Sequence, residues 1–572
     1  MKFRRGAPIA ALTALAYGCT PATPGAPAPA TAARGTLVLM GTTDVHGWLL
    51  PHDYYTGKET QNGLALLAPL IDSVRAVHPE RTVLVESGDL LQGNPLDFVH
   101  SRLRPGEVHP VATAMNLLRY DAAAIGNHEF NYGIPHLQAV VAASEFPWIS
   151  ANIFRYGTQE HAYRPYVMVE RRVAGRPVRV GITAVTPPGV LIWDRDNVQG
   201  RLDFRDIVAS VRPVVAEMRA RGADVVVVAA HSGLEGSSYD PGATGVPVEN
   251  ASAAMAREVP GIDVIFVGHS HREIQDTTIG STLLTQAKNW AASLAVAELE
   301  VEQDAEGRWR VERKQGTILR PGRRAPDARM VQAVSEAHER TRAYVTRQIG
   351  VSGGEWTAEE ARVRDTPILD LINEVQRKVT GAELSATAAF STSARIPRGP
   401  VTVADVAGLY VYDNTLKALR ISGAQLRAFL EKSAEYYLPC PGGRCERITN
   451  PAVPGYNFDV VSGVDYALDL SRPVGQRVVK LARNGRAVAP TDSFTIALNN
   501  YRASGSGGFS MLLGAPVVYD RDEGIRELLI AEIERRGSLN PADYFRKNWE
   551  IVPAALAEKA LAEQRVPNPA AR

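Results

Sequence analysis

Five apolar runs in the first half of this chain end in the same kinds of residue. Leu37–Met40 leads into Asp44-Val45-His46, Thr82–Val85 into Asp89, and Ala122–Ile125 into Asn127-His128; Asp224–Val228 leads into His231, and Asp263–Val267 into His269-Ser270-His271. Runs rich in β-branched residues, without polar alternation, read as strands buried on both faces. Helical spacing appears between them over 64–77, 111–118 and 207–219. The pattern predicts an α/β core with helices covering both sides of the sheet. In open α/β sheets the ligand crevice lies outside the carboxyl ends of the strands, so the five motifs are expected to meet in one place. Amide, imidazole and carboxylate groups at the ends of buried strands must be paired or bound to something.

The candidate ligands are Asp44, His46, Asp89, Asn127, His231, His269 and His271, and four of the chain's 12 histidines are among them. Taken singly, each motif reads as a satisfied surface or core residue; five in order, each after a buried strand, do not. Nitrogen and oxygen donors without thiolate suit zinc, manganese or magnesium. Seven ligands are too many for one tetrahedral ion and suit two divalent ions sharing a carboxylate. Two such ions about 3.5–4 Å apart clamp a phosphate and lower the pKa of a bound water.

At 572 residues the chain exceeds one hydrophobic core, so at least two domains are expected. A net charge of +1 argues against a general grip on a nucleic-acid polymer or an anionic membrane. Any charged ligand must be held locally. Lys2, Arg4 and Arg5 precede an apolar stretch, Ala7 to Tyr17, that is too short to span a bilayer. Residues 1–19 therefore read as a signal or lipoprotein peptide, and 20–35 as a Pro/Ala-rich tether. The expected location is periplasmic or in the cell envelope. Ala16-Tyr17-Gly18-Cys19 resembles a bacterial lipoprotein cleavage box with Cys19 lipidated; cleavage and release is the alternative. Membrane contact is expected only through that anchor, and the protein is expected to be a monomer. Cys440 and Cys445 flank a turn-rich loop, and in an oxidising compartment a disulfide between them is expected.

With Gly88-Asp89, Gly126-Asn127-His128-Glu129, Ala230-His231-Ser232-Gly233 and Gly268-His269-Ser270-His271, the series resembles the calcineurin-like metallophosphoesterases. Within them it is similar to the bacterial exported 5′-nucleotidase/2′,3′-cyclic-nucleotide phosphodiesterase family, from Leu37 to about Val552. The resemblance implies a four-layer αββα metallophosphoesterase domain at 36–325 and a linker helix at 326–349. It further implies a C-terminal α+β nucleotide-binding domain at 350–553; the Ala-rich, charged segment 554–572 reads from its composition as a loose tail. One metal would be held by Asp44, His46, Asp89 and His271, the other by Asp89, Asn127, His231 and His269, with Asp89 bridging. His128 would be the catalytic histidine beside the leaving oxygen.

The family's second domain sandwiches the base between two aromatic rings. Tyr456 in Gly455–Asp459 and Tyr501 in Asn499–Arg502 match that role. Base–aromatic stacking contributes about 1–3 kcal/mol and tolerates any base. Arg395 and Arg502 are candidate phosphate or ribose contacts, and Asn414 in Tyr410–Asn414 is expected near the ligand. The 5′-nucleotidase branch has an Asp three residues after the catalytic His, whereas this chain has Asn131. An Asn orients the ring without charge support. The strings Gly126–Gly133, Tyr456–Asp459 and Asn499–Arg502 look like the 2′,3′-cyclic phosphodiesterase/3′-nucleotidase branch. The expected activity is hydrolysis of 2′,3′-cyclic nucleotides and 3′-nucleotides. A 5′-nucleotidase or nucleotide-sugar hydrolase is the first alternative, and a non-catalytic surface nucleotide-binding or adhesion protein the second.

Overall fold

The computed structural model describes Met1 and residues 33–565. The targeting segment with Cys19, most of the tether, and 566–572 lie outside the described residues. In the first domain, Arg34–Thr42, Thr82–Glu86, Ala122–Ala124 and Trp148–Ile149 lie parallel, side by side. Leu294–Gln303 and Trp309–Leu319 extend this sheet antiparallel at the other edge. A second six-stranded sheet has Arg176–Val185, Val225–Ala230, Val264–Val267 and Thr282–Gln286 parallel at its centre.

The two sheets pack face to face. Leu37 and Leu39 enter the layer between them with Val180, Ile182, Val227 and Phe266. Val38 and Met40, on the opposite face, pack with Leu67, Val111 and Met115 of the helices Leu64–Val77 and Pro110–Leu118. Val226, Val228 and Ile265 of the second sheet meet Val211 and Met255 of Ile207–Ala220 and Ser252–Glu258. The middle stretches Leu37–Met40, Val83–Val85, Val225–Ala230 and Val264–Val267 are apolar at every position because both faces are covered. Helix, sheet, sheet and helix stack as the four predicted layers.

The linker is two consecutive helices, Ala328–Ala333 and Ser335–Val345, rather than one. Met330, Val334 and Val345 are buried against the first domain. The next strand, Gln348–Ser352, already pairs with Gly399–Thr402 and Ser538–Leu539 of the second domain. That domain is built on a five-stranded sheet ordered Asp459–Ser462, Leu384–Ala388, Ser493–Asn499, Thr415–Ser422, Val517–Gly524. The amphipathic helix Pro367–Thr380 covers it, with Ile368 and Leu371 in one core with Leu419 and Ile496.

The expected loose tail is corrected over its first part. Ala554–Arg565 is a helix. Leu556, Ala560 and Leu561 recur at helical spacing and are buried, and Glu563 accepts the Ile448 N–H at 2.7 Å. Cys440 and Cys445 are joined in a disulfide. No helix among the described residues is long and apolar enough to cross a membrane.

Candidate metal centre and active site

The loops after the strands are bent sharply inward. Asp44, His46, Asp89, His269 and His271 have φ of 52°, 49°, 63°, 66° and 52°. A non-glycine residue held there costs on the order of 1–3 kcal/mol and persists only where its surroundings over-determine it. Here the surroundings are shared. The Glu129 carboxylate is fully buried and accepts the N–H groups of Asp89 (3.0 Å), Leu90 (2.6 Å), Leu91 (3.2 Å) and Gly126 (2.6 Å). It binds the Asp89 loop to the Asn127 loop. Gly126 permits the approach, since a Cβ there would clash with Asp89 Oδ1 and stand 2.5 Å from the Asp89 nitrogen.

All seven predicted ligands come together. Asp44, His46 and His271 form one group of donor atoms within 4.8 Å of one another, and Asp89, His231 and His269 a second. Asp89 Oδ2 lies 2.9 Å from His231 Nε2 and 4.0 Å from His46 Nε2, between the two groups. Asn127 Oδ1 is 3.1 Å from His231 Nε2.

Contacts behind the rings decide which nitrogen faces inward. His46 Nδ1 donates to the Gln92 carbonyl and His231 Nδ1 to the Ser87 carbonyl. His269 Nε2 is 2.7 Å from Glu249 Oε1, which leaves its Nδ1 for a ligand. A ring nitrogen donating to an acceptor carries the proton, so the other nitrogen of the neutral ring offers a lone pair. His46 Nε2 thus faces His271 Nε2 at 3.0 Å, and His231 Nε2 faces Asp89 and Asn127 oxygens.

Acceptors set against acceptors need a proton or a cation between them. Burial lowers the His231 pKa, but the Asp89 and Asp44 carboxylates outweigh it and push it up to about 10. Burial raises Asp44, yet the neighbouring His271 brings it down to about 2. A divalent ion can take the place of such a proton. The donor set therefore fits two divalent ions.

His128 begins a single turn, His128–Phe130, and its backbone N–H donates to Asp89 Oδ1 at 2.8 Å. Its Nε2 lies 3.9 Å from Asp89 Oδ2. Its Nδ1 is 2.6 Å from Asn131 Oδ1, and Asn131 Nδ2 donates in turn to Asp194 Oδ1 at 2.8 Å. Burial lowers the His128 pKa, but Asp89, Asn131, Asp194 and Glu129 together leave it raised. The expectation that Asn131 leaves the ring without charge support is therefore corrected: a buried carboxylate stands one step behind the amide.

In the second domain, Tyr456 is 37% exposed and its ring lies 6.4 Å, edge-on, from Tyr412, which packs on Phe390 beside Tyr410. Tyr501 is half-buried on Asn500–Ala503, a turn that packs against Val190–Trp193 of the first domain. Trp193 in turn stacks on His269, with ring centroids 5.6 Å apart. The turn carrying Tyr501 thus reaches the metal centre through Trp193. Between the domains, Tyr132 and Gln92 donate to Asp413, and Lys417 pairs with Asp196.

Arg502 has a different role from the expected ligand contact. It is buried, pairs with Asp459 at 2.7 Å, donates to the Tyr456 carbonyl and lies over the Phe509 ring. It holds the Tyr456 loop in place. Arg395 is exposed and paired with Glu355 and Glu359. Asn414 accepts the Ile525 N–H through its carbonyl, and its side chain bonds Tyr410. The supporting roles of Glu129, Glu249 and Asp194 were missed by sequence reasoning. Only Glu129 lay inside a quoted motif.

Residues 37–273 match the calcineurin-like phosphoesterase family, and 346–514 the 5′-nucleotidase C-terminal domain. The chain is 32% identical to the 2′,3′-cyclic-nucleotide 2′-phosphodiesterase/3′-nucleotidase of Salmonella typhimurium, over 91% of this chain and 90% of that protein. The chain belongs to the 5′-nucleotidase/2′,3′-cyclic-nucleotide phosphodiesterase family. Within that family it is also 31% identical to the trifunctional nucleotide phosphoesterase of Bacillus subtilis, over 91% of this chain; the match spans 39% of that longer protein. A 5′-nucleotidase precursor from Thermus thermophilus superposes with a TM-score of 0.64 at 25% identity, covering 91% of this chain and 100% of that one.

Proposed function

We propose that this nucleotide phosphohydrolase opens 2′,3′-cyclic nucleotides to 3′-nucleotides and then releases phosphate from the 3′-nucleotides. The observation carrying this reading is the nitrogen and oxygen donor set divided about Asp89, with His128 Nε2 beside the shared carboxylate. When bound, two divalent ions supply Lewis acidity for the phosphate and acidify water. His128 holds a proton at Nε2 for the leaving oxygen. In the first reaction water adds to phosphorus and gives up a proton, the P–O2′ bond breaks, the Nε2 proton passes to O2′, and the proton lost by water restores that on Nε2. In the second the P–O3′ bond breaks in the same way and the nucleoside leaves. Tyr456 and Tyr501 take the base by stacking, which does not depend on its hydrogen-bonding pattern.

The choice of branch rests on Asn131 and on relatives similar along the whole chain that are 2′,3′-cyclic-nucleotide 2′-phosphodiesterase/3′-nucleotidases. The test is turnover of 2′,3′-cyclic AMP, 3′-AMP and 5′-AMP by purified protein supplied with zinc, manganese or magnesium. The first two substrates are expected to dominate. Dominance of 5′-AMP overturns the branch, and absence of any phosphoester hydrolysis favours a surface nucleotide-binding protein. The basic and apolar N-terminus supports a location outside the cytoplasm. Fractionation of cells, with fatty-acid labelling of wild type and Cys19→Ala, tests export and lipidation.

A further inference from the structure

We propose that Asp194 is a positioning residue for His128, acting through the side-chain amide of Asn131. The inference rests on the function given above. An amide can be turned two ways, and only one presents oxygen to the His128 Nδ1, 2.6 Å away. Asp194, when ionised, only accepts hydrogen bonds. Its Oδ1 takes the Asn131 Nδ2 at 2.8 Å and so turns Asn131 Oδ1 toward the ring. Nδ1 then carries a proton, and Nε2 is the nitrogen presented to the leaving oxygen. Where the resemblance places a single Asp at 131, orientation and charge come from one group; here they are divided between Asn131 and Asp194.

The turn holding Asp194 is built for this. Asp194 is buried at the junction of Val190–Trp193 and Arg195–Val198. Trp193 lies on the candidate ligand His269, and Asn197 Nδ2 donates to the Phe130 carbonyl at 2.9 Å, clasping the His128 turn. Asp196 pairs with Lys417 of the second domain. The carboxylate is thus pinned between metal centre, His128 turn and second domain, although it lies 63 residues from Asn131 in sequence.

The test compares Asp194→Ala, Asp194→Asn, Asn131→Asp and the double variant Asn131→Asp/Asp194→Asn. Asp194→Ala is expected to lower kcat about 10–100-fold, the range for lost support of a functional histidine, with KM and metal content unchanged. Asp194→Asn keeps an acceptor and is expected to retain more activity than Asp194→Ala. Asn131→Asp sets two carboxylates against each other. In the double variant the new amide donates to the new carboxylate, and kcat is expected to exceed that of Asn131→Asp alone. Nitrogen-15 ring shifts of His128 are expected to show Nδ1–H held in a hydrogen bond in wild type and that bond lost in Asp194→Ala, whether or not metal is bound. Wild-type kcat in Asp194→Ala, an unchanged Nδ1–H hydrogen bond, or a double variant no better than Asn131→Asp would each overturn the proposal. A wild-type protein inactive on nucleotides would refute the function, while the ring shifts would still decide on Asp194.

Discussion

Replacing Glu129 by Gln removes no side-chain volume and tests what holds the metal loops together. Oε2 accepts the N–H groups of Asp89 and Gly126, and Oε1 those of Leu90 and Leu91. A glutamine amide supplies one oxygen and one NH₂. Whichever way it turns, two of these four N–H groups face a donor. A buried donor left without a partner costs about 1–3 kcal/mol, so Glu129→Gln should destabilise the metal-free first domain by ~2–6 kcal/mol. That is a large share of the ~5–15 kcal/mol by which a domain is stable. The loop it frees carries Asp89, so metal binding should weaken as well, and the stabilisation that added metal gives should shrink. Urea unfolding of wild type and variant, each with and without added zinc or manganese, measures both effects; metal analysis counts the ions retained. A variant within ~0.5 kcal/mol of wild type that keeps its full metal content would refute the reasoning, because backbone donors so deeply buried cannot lose acceptors without consequence.

Three further outcomes are expected. His128→Ala should lower kcat about 10²–10⁴-fold, the usual contribution of a general acid, with metal content unchanged; parallel metal loss would show that the ring holds an ion instead. Tyr456→Ala and Tyr501→Ala should each raise KM by the equivalent of about 1–3 kcal/mol for adenine and uracil nucleotides alike, which a base-specific effect would contradict. Asp370 is buried, and burial together with Asp365 pushes its pKa up to about 7. A carboxylate raised above its unfolded value stabilises the fold at low pH, and that contribution is lost as pH rises through about 7. Asp370→Asn, whose oxygen can still accept the Arg546 N–H, should therefore gain on the order of 2–4 kcal/mol over wild type at pH 8 and little at pH 4; equal gains at both would exclude this cause.

What could be read before folding and what could not divide along a physical line. Asp44, His46, Asp89, Asn127, His231, His269 and His271 are legible because each breaks an apolar run, and a polar group at the end of a buried strand has few neighbours to satisfy it. Alternation between the two faces of Leu37–Met40 is hidden in the sequence, since both faces are apolar, yet that uniformity itself predicts two covering layers. The second tier is not legible in this way. Asp194 sits between Trp193 and Arg195 on a short turn, and Glu249 follows a Val-Pro-Val stretch; as strings these are ordinary solvated acids. Their roles come from partners 63 residues away for Asp194 and 20 for Glu249. Arg502 shows the reverse error. Beside two asparagines and a tyrosine it looks like a ligand-facing guanidinium, but Asp459 and the Phe509 ring have already occupied it. A charged side chain is free for a ligand only if the fold leaves its pairing open, and pairing is a property of tertiary neighbours. Strand-end motifs therefore disclose where chemistry happens, whereas the groups that aim and charge that chemistry become visible only when distant loops close on one another.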